Sequence, residues 1–307
     1  MHIAIIIPAF NIAPFLGTAV RSVLAQTHTD WSLVIVDDGS TDPTAAVAAD
    51  FQDSRISLIH QDNAGVSAAR NRGIHHAEAT APDAFLFLDG DDWLAPTALA
   101  LLTDALDAAP WAAAACARYA RVAEDGATRL SPRPREGCVL ERLLIGNLFA
   151  NGGHLLIRQE AMHAAGAFRR DLSHGEDWEY WTRIALLGEF VAVQSRTPVL
   201  FVRERAGSAM LTKGTDPAAY RAATDAIHRN PAIADRLGRS RLPELRRRAE
   251  AEVAWAVGRE LIRHGQQRAG RRWLGRSIVG APSARRLLLI GLSWLRVGPF
   301  RPYRTAA

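Results

Sequence analysis

Three carboxylates follow directly on a short apolar run in Phe85-Leu86-Phe87-Leu88-Asp89-Gly90-Asp91-Asp92-Trp93. An apolar run of this length, bounded by turn residues, reads as a strand buried on both faces. A lone ionised carboxylate is costly to bury. Asp89, Asp91 and Asp92 are therefore expected just beyond the strand's carboxyl end, where open α/β sheets hold their ligands. Magnesium and manganese take oxygen ligands there and share them with a substrate's phosphates. The plainer alternative is a polar turn, with Asp92 capping a helix that starts near Pro96. Two more acid pairs stand out. Asp37-Asp38 opens the loop Gly39-Ser40-Thr41-Asp42-Pro43, and Glu176-Asp177 precedes Trp178. The second pair falls in the first turn of a helix, where acids also serve simply as dipole partners. His154 and His174 are candidates for an acceptor contact or a metal ligand, beside a plain structural role.

The elements that must position these residues alternate. Strand runs are expected at residues 2–7, Trp31 to Val36, Ile56 to His60 and Ala84 to Leu88. Helices are expected from Phe15 to Gln26, through Ala49, and from Asn63 to about Ala77. Pro8-Ala9-Phe10-Asn11 reads as a loop. This rhythm means βαβ units and a parallel sheet. Right-handed crossovers gather the loops 8–11, 37–42 and 89–92 along one edge. After Trp93 the alternation stops. Pro96 to Ala108 reads as a helix and Trp111 to Val122 as one strand. A polar loop runs from Ala123 to Gly137, and a short helix from Cys138 to Asn147. Strands are expected at His154 to Ile157, Phe190 to Val193 and Val199 to Val202, and a helix ends at Leu187.

The 307 residues, 48% hydrophobic and 22% charged, suit an ordinary globular chain with one large core or a core plus a smaller unit. Cys116 and Cys138 show no metal spacing and no disulfide framework, which fits a reducing compartment. The first residues enter a strand run at once, without signal-peptide character. The stretch Leu287 to Leu295 is too short to span a bilayer. Lys213 is the only lysine, so a lysine nucleophile is set aside, and most of the basic excess follows Gly238.

From Asp216-Pro217, an N-cap with a first-turn proline, the chain reads as helices at 217–228, 242–264, 266–279 and 283–297. Arg246, Arg247, Arg248, Arg271, Arg272, Arg285 and Arg286 mark their polar faces. The last helix adds Leu287, Leu288, Leu289, Leu292, Trp294 and Leu295, with Phe300 and Tyr303 beyond. Arginines beside an apolar face fit a helix in a membrane interface. They also fit a helix packed on the main domain with solvated arginines. No base-reading motif accompanies them, so nucleic acid is not expected.

There is no phosphate-cradling G-x-x-x-x-G-K-[ST] loop and no G-x-G-x-x-G after the first strand, which excludes ordinary ATPases and dinucleotide oxidoreductases. The ordered set Ile7-Pro8-Ala9-Phe10-Asn11, Gln26-Thr27, Val36-Asp37-Asp38-Gly39-Ser40-Thr41-Asp42, Asn63-Ala64-Gly65-Val66-Ser67-Ala68-Ala69-Arg70-Asn71, Leu88-Asp89-Gly90-Asp91-Asp92 and Gly175-Glu176-Asp177-Trp178 resembles family 2 glycosyltransferases over about residues 2–205. Gly166-Ala167-Phe168 also fits.

The resemblance implies an α/β GT-A fold: a Rossmann-like, mostly parallel sheet with helices on both faces, followed by a C-terminal helical region. It implies a catalytic domain over 1–210 and a basic helical region over 211–307. It implies an inverting, metal-dependent transfer from a nucleotide-sugar, a UDP-sugar by preference, to a glycan or lipid-linked acceptor in polysaccharide assembly. The place of action would be the cytoplasmic face of the membrane. Asp38, assisted by Asp37, resembles the base contact, and Pro8 and Ala9 would line the nucleotide pocket. Arg70 falls where a base or diphosphate contact is common. Asp89 and Asp91 match a D-x-D pair holding Mn²⁺ or Mg²⁺, Asp91 as direct ligand and Asp89 nearer the ribose. Asp177, beside Glu176, resembles the general base, and Arg203 would close over the diphosphate. Gln267 to Trp273 lacks the spacing of the Gln-x-x-Arg-Trp motif of processive synthases, so a single addition is expected. The alternatives are a sugar-nucleotide nucleotidyltransferase, which would need a basic Gly-rich loop where Pro8 to Asn11 stands, and an inactive glycan- or membrane-binding homologue.

Overall fold

The structure is a computed structural model that describes residues 1–205 and 214–294, the side chain of Arg285 excepted. The chain divides into two compact units. The first holds Met1–Val139 and Phe149–Arg205, and the second holds Leu140–Leu148 with the residues beyond 205.

The first unit is built on β1 (Ile3–Ala9), β2 (Trp31–Asp37), β3 (Ile56–His60) and β4 (Ala84–Phe87), all parallel and ordered β4-β1-β2-β3. The run Ile3 to Ile7 is wholly buried because both faces of the sheet are covered. Ile3, Ile5 and Ile7 pack in one cluster with Leu16, Ala19, Val20 and Val23 of α1 (Ala13–Leu24). On the other face, α3 (Val66–Ala77) comes so close that a Cβ on Gly73 would lie 2.5 Å from Ile6 Cγ2. The period-two alternation of a strand thus serves two different helices. The short α2 (Thr44–Ala49) links β2 to β3. Pro8 and Ala9, expected in a loop, are the last residues of β1, opposite Val36 and Asp37. On its other side β1 pairs with β4 only as far as Ile6↔Phe87, so the sheet opens beside Pro8. Strand order reverses between β1 and β4, the position of the ligand crevice in open sheets.

Beyond β4 the sheet is mixed. β9 (Leu155–Arg158) lies antiparallel between β4 and β6 (Ala112–Cys116), and β10 (Glu189–Ala192) runs parallel to β6. The residues Trp111 to Val122, expected as one strand, are two strands in two sheets. After β6 the chain turns at Ala117-Arg118 and enters β7 (Tyr119–Val122). A small second sheet has the order β5-β11-β7-β8, with β5 (Trp93–Leu94), β8 (Thr128–Leu130) and β11 (Leu200–Arg203). β8 falls in the expected polar loop, paired with β7 across a turn at Gly126, whose φ is +80°. Helices α4 (Ala98–Asp107) and α7 (Glu176–Leu187) stand close to the expected bounds. The helix expected from Cys138 to Asn147 shortens to α5 (Leu140–Leu143), and α6 (Gln159–Ala165) is an addition.

The second unit carries α8 (Pro217–His228), α9 (Pro231–Leu237), α10 (Leu242–Arg263), α11 (Gln267–Gly280) and α12 (Ala284–Leu292). Asp216 caps α8 by accepting from Ala218 N at 2.8 Å, and Asn230 caps the unforeseen α9 in the same way, each before a proline. α10 and α11 form a hairpin that turns at Gly265, φ +84°. They cross where Gly258 and Gly270 meet, since a Cβ on Gly270 would lie 2.6 Å from Gly258 O. Leu295, Phe300, Tyr303, the expected end of the last helix at 297 and the expected domain boundary at 210 lie outside the described residues. Among the described residues no helix is long and apolar enough to cross a membrane.

Candidate active site

The loops at the carboxyl ends of β1 and β2 are tied together first. Asn11 sits at φ +52°, a region an asparagine tolerates better than most residues. Its Oδ1 accepts from Thr41 N at 2.8 Å, bracing one loop on the other. Asp38 N donates to Ala9 O at 2.8 Å. The Asp38 carboxylate is buried and accepts from Gln61 Nε2 at 2.6 Å, Ala64 N at 2.9 Å and Gly65 N at 2.9 Å. It therefore shapes the turn that starts α3, whatever else it contacts. Asp37 accepts from Ser40 N at 3.2 Å and His60 Nδ1 at 3.0 Å. Burial works against its charge, yet these bonds hold its carboxyl below the usual range.

The acidic turn after β4 is pressed against β1. A Cβ on Gly90 would lie 2.2 Å from Ile12 Cδ1 and 3.3 Å from Ile7 Cγ2 of β1, so a larger residue would first displace the end of the Ile12 side chain. Asp92 does not cap the next helix. α4 begins after Thr97, which makes no side-chain cap bond. Asp92 points inward instead, accepting from Asn151 Nδ2 at 2.5 Å and Arg203 N at 2.8 Å. Burial, with Asp89 and Asp91 close by, drives its carboxyl well above the ordinary range. Asp92 thus binds the turn to β11 and to the segment before β9, a structural role.

Asp91 Oδ2 accepts from Arg205 Nε at 2.7 Å. Arg203 donates from Nε to Asp91 O at 3.1 Å, and its guanidinium lies 4.8 Å from the Trp93 ring and 5.1 Å from the Phe15 ring. Trp93 in turn stacks on Phe201. Both arginines on β11 and just after it thus converge on the acidic turn. Arg205 was not singled out in the sequence, where it is one arginine among many.

Arg70 of α3 is the link across the site. It is buried, and its guanidinium donates to Asp89 Oδ1 and to Glu176 Oε1, each at 3.1 Å. Arg70 thereby joins the acidic turn to the start of α7. Its neighbour Asn71 exchanges two bonds with Phe168, 2.9 Å to the carbonyl and 2.8 Å from the amide. Phe168 stacks on Tyr180 of α7 at 3.8 Å and meets Phe87 of β4 edge-on at 5.1 Å. These contacts fix the segment before α7 on α3 and β4.

α7 begins at Gly175, φ +76°, with Glu176 and Asp177 in its first turn. Asp177 Oδ1 accepts from Trp178 N at 2.6 Å. Burial and the adjacent Glu176 carboxylate push Asp177 up to about 7, and the nearby Arg70 only partly offsets them. A carboxyl poised there is suited to taking a proton at neutral pH. Burial likewise raises Asp89, which Arg70 pulls back. His154 has no ligand role. Its Nδ1 lies 2.8 Å from Ala117 O, its Nε2 accepts from Ala150 N at 3.2 Å, and burial lowers it to about 4. His174 lies, half-buried, in the turn before α7.

Among the described residues no three His, Cys, Asp or Glu side chains form a cage for a metal ion. The donor set nevertheless fits a hard cation that completes its shell with phosphate oxygens and water. Asp89 and Asp91 offer only oxygen. Arg70 engages Asp89 through Oδ1 and Arg205 engages Asp91 through Oδ2, so each carboxylate keeps a second oxygen to offer a cation.

The pattern of the family described as Glycosyl transferase family 2 matches residues 4–172. EpsJ of Bacillus subtilis (strain 168), an uncharacterized glycosyltransferase, is 38% identical over 104 residues, 33% of this chain and 29% of its own. WfgD of Escherichia coli, named as a UDP-Glc:α-D-GlcNAc-diphosphoundecaprenol β-1,3-glucosyltransferase, is 37% identical over 95 residues, 30% of this chain and 36% of its own. The matched stretch thus spans about a third of these relatives or less. S. aureus TarS 1–349 in complex with UDP-GlcNAc superposes with a TM-score of 0.69 at 16% identity, over 96% of this chain and 88% of that one. The mannosyltransferase PcManGT of Pyrobaculum calidifontis, in complex with GDP-Man and Mn²⁺, superposes with a TM-score of 0.59 at 20% identity, over 98% and 82%. A family match across more than half of the chain, on a fold with its acids gathered at the switch point, makes this chain a member of glycosyl transferase family 2 with a GT-A α/β unit.

Proposed function

We propose that the chain moves one sugar, with inversion, from a nucleoside-diphosphate sugar to a hydroxyl of a glycan or lipid-linked acceptor in polysaccharide assembly. The observation that carries the reading is the Asp89–Arg70–Glu176 bridge. It sets Asp177, poised near 7, beside the acidic turn although 88 residues separate Asp177 from Asp89. The acceptor oxygen attacks the anomeric carbon as its proton passes to a carboxylate oxygen of Asp177. The bond from that carbon to the diphosphate oxygen breaks, and its electron pair leaves with the nucleoside diphosphate. Asp89 and Asp91 would hold a divalent cation, which would supply Lewis-acid charge to the leaving group. Arg203 and Arg205 stand beside Asp91 to add positive charge there. Asp37, Asp38, Pro8 and Ala9 frame the nucleotide end.

A UDP-sugar is the preferred donor, supported by the UDP-GlcNAc complex of TarS and by the donor in WfgD's name. WfgD's name also gives a lipid-linked acceptor, which in this chain would bring the site to a membrane surface. The domain reading is a catalytic region to about 210 and a basic helical region after it, the latter attaching peripherally to the inner face of the cytoplasmic membrane.

The test is the product released from UDP-, GDP- and dTDP-sugars with Mn²⁺ or Mg²⁺. Nucleoside diphosphate supports transfer, whereas pyrophosphate would favour a nucleotidyltransferase. Asp91→Ala is expected to weaken cation-dependent donor binding by calorimetry, and unchanged affinity would remove Asp91 from the cation site.

A further inference from the structure

The 47 residues after Glu260 contain ten arginines and no acidic side chain. The structure sorts the described part of this stretch into faces. On α11, Gly270, Leu274 and Ser277 face inward, while Arg268, Arg272, Arg276 and Val279 are exposed, at the spacing of one helix stripe. On α12, Leu289 and Ile290 pack against Ile262 and Leu274, and Arg286 pairs with Glu252. Among the described residues nothing covers the opposite, apolar stripe. Leu287 is 59% exposed and Leu288 67%, with Trp294 at 68% just beyond the helix. Trp294 also lies 3.6 Å from the Arg271 guanidinium, pairing an amphipathic ring with a cation.

We infer that this face docks on an anionic lipid bilayer, with Leu287, Leu288 and Trp294 entering the interface and Arg268, Arg272 and Arg276 meeting headgroup phosphates. Charge complementarity selects the occupant. A second copy of the same stretch would cover the leucines but set arginine against arginine with no acid to offset it. A nucleic acid would satisfy the arginines but leave the leucines against a polar backbone. An anionic membrane surface offers phosphate and hydrocarbon side by side, which matches adjacent basic and apolar stripes. The inference rests on the membrane-side part of the proposed function and names the surface that performs it.

The test is co-sedimentation of the full chain with phosphatidylcholine vesicles, with and without phosphatidylglycerol, run beside UDP-sugar hydrolysis in vesicle-free solution. Binding is expected to favour the anionic vesicles roughly tenfold or more and to fall as salt shortens the screening length from about 10 Å to about 3 Å. The paired substitution Leu287→Asp and Leu288→Asp, at exposed positions, should reduce binding roughly tenfold or more and leave hydrolysis unchanged. Arg268→Ala, Arg272→Ala and Arg276→Ala together should remove the preference for anionic lipid. Absence of vesicle binding by the wild-type chain would overturn the inference, as would equal binding by the Leu→Asp pair or tighter binding to duplex DNA than to vesicles. None of those results would touch nucleoside diphosphate release, and failure of that release would leave the vesicle result standing.

Discussion

At the strand edge of the α/β unit, charges are matched in detail. Arg70 lies between Asp89 and Glu176, Arg205 meets Asp91, and Asp92 is held by Asn151 and the Arg203 amide. In the helical unit, the outward stripes of α11 and α12 show the reverse. Arginines and leucines stand exposed in a stretch that carries no acid. Buried charge demands specific partners because each lost partner leaves an uncompensated ion. Exposed charge makes no such demand and is screened by salt. The first region is therefore a pre-organised cleft for a small, highly charged ligand. The second is a broad surface, for which the inferred complement is extended and anionic.

This contrast predicts where substitutions act. The largest effect is expected from Asp177→Asn, which should lower sugar transfer about 10²–10⁴-fold while donor binding persists, as turnover beside calorimetry would show. The same variant should be the more stable protein at neutral pH. The folded Asp177 stays protonated up to about 7, whereas the unfolded chain ionises it near 3.8. Wild type therefore loses stability relative to the variant as pH rises from 3.8 to 7, and the gap is complete above 7. Denaturant midpoints across that range measure it. Next comes Arg70→Met, which strands two carboxylates in the cleft and should cost about 3–5 kcal/mol in urea unfolding. A cost near zero would mean that the bridge is not maintained in solution. Smallest is Leu288→Ser in the helical unit, expected within about 0.5 kcal/mol of wild type, since that side chain has little packing to lose. A large loss there would mean that the outward stripe is covered.

The same contrast explains what could be read in the sequence. Ile56–His60, Val66–Ala77 and Pro217–His228 stand at the expected positions because short apolar runs, glycines and a capped proline are local signals. The break at Ala117-Arg118 was not readable, because no glycine, proline, asparagine or aspartate marks it between the alanine-rich β6 and β7, and only their partners, β9 and β11, separate them. Asn230-Pro231 repeats the signal of Asp216-Pro217, so α9 could have been found. At the site, the acids of 89–91 and 176–177 were legible from their spacing after apolar runs and before a helix. The roles of Arg70, Asp92, Asn71 and Arg205 were not. Each is set by a partner between 59 and 114 residues away in the chain. His154 shows the opposite error, since a histidine after two glycines looks available until its two ring nitrogens are seen to be engaged.

The most direct test of the account is the pH dependence of kcat/KM for UDP-sugar hydrolysis, with water in place of the acceptor, because that ratio reports the free enzyme's ionisations. The wild-type chain should show a rising limb near pH 7, from the Asp177 carboxyl, and Asp177→Asn should lack it. A limb of the same position in both proteins, or a flat wild-type profile through that range, would contradict the assignment of Asp177 as the base.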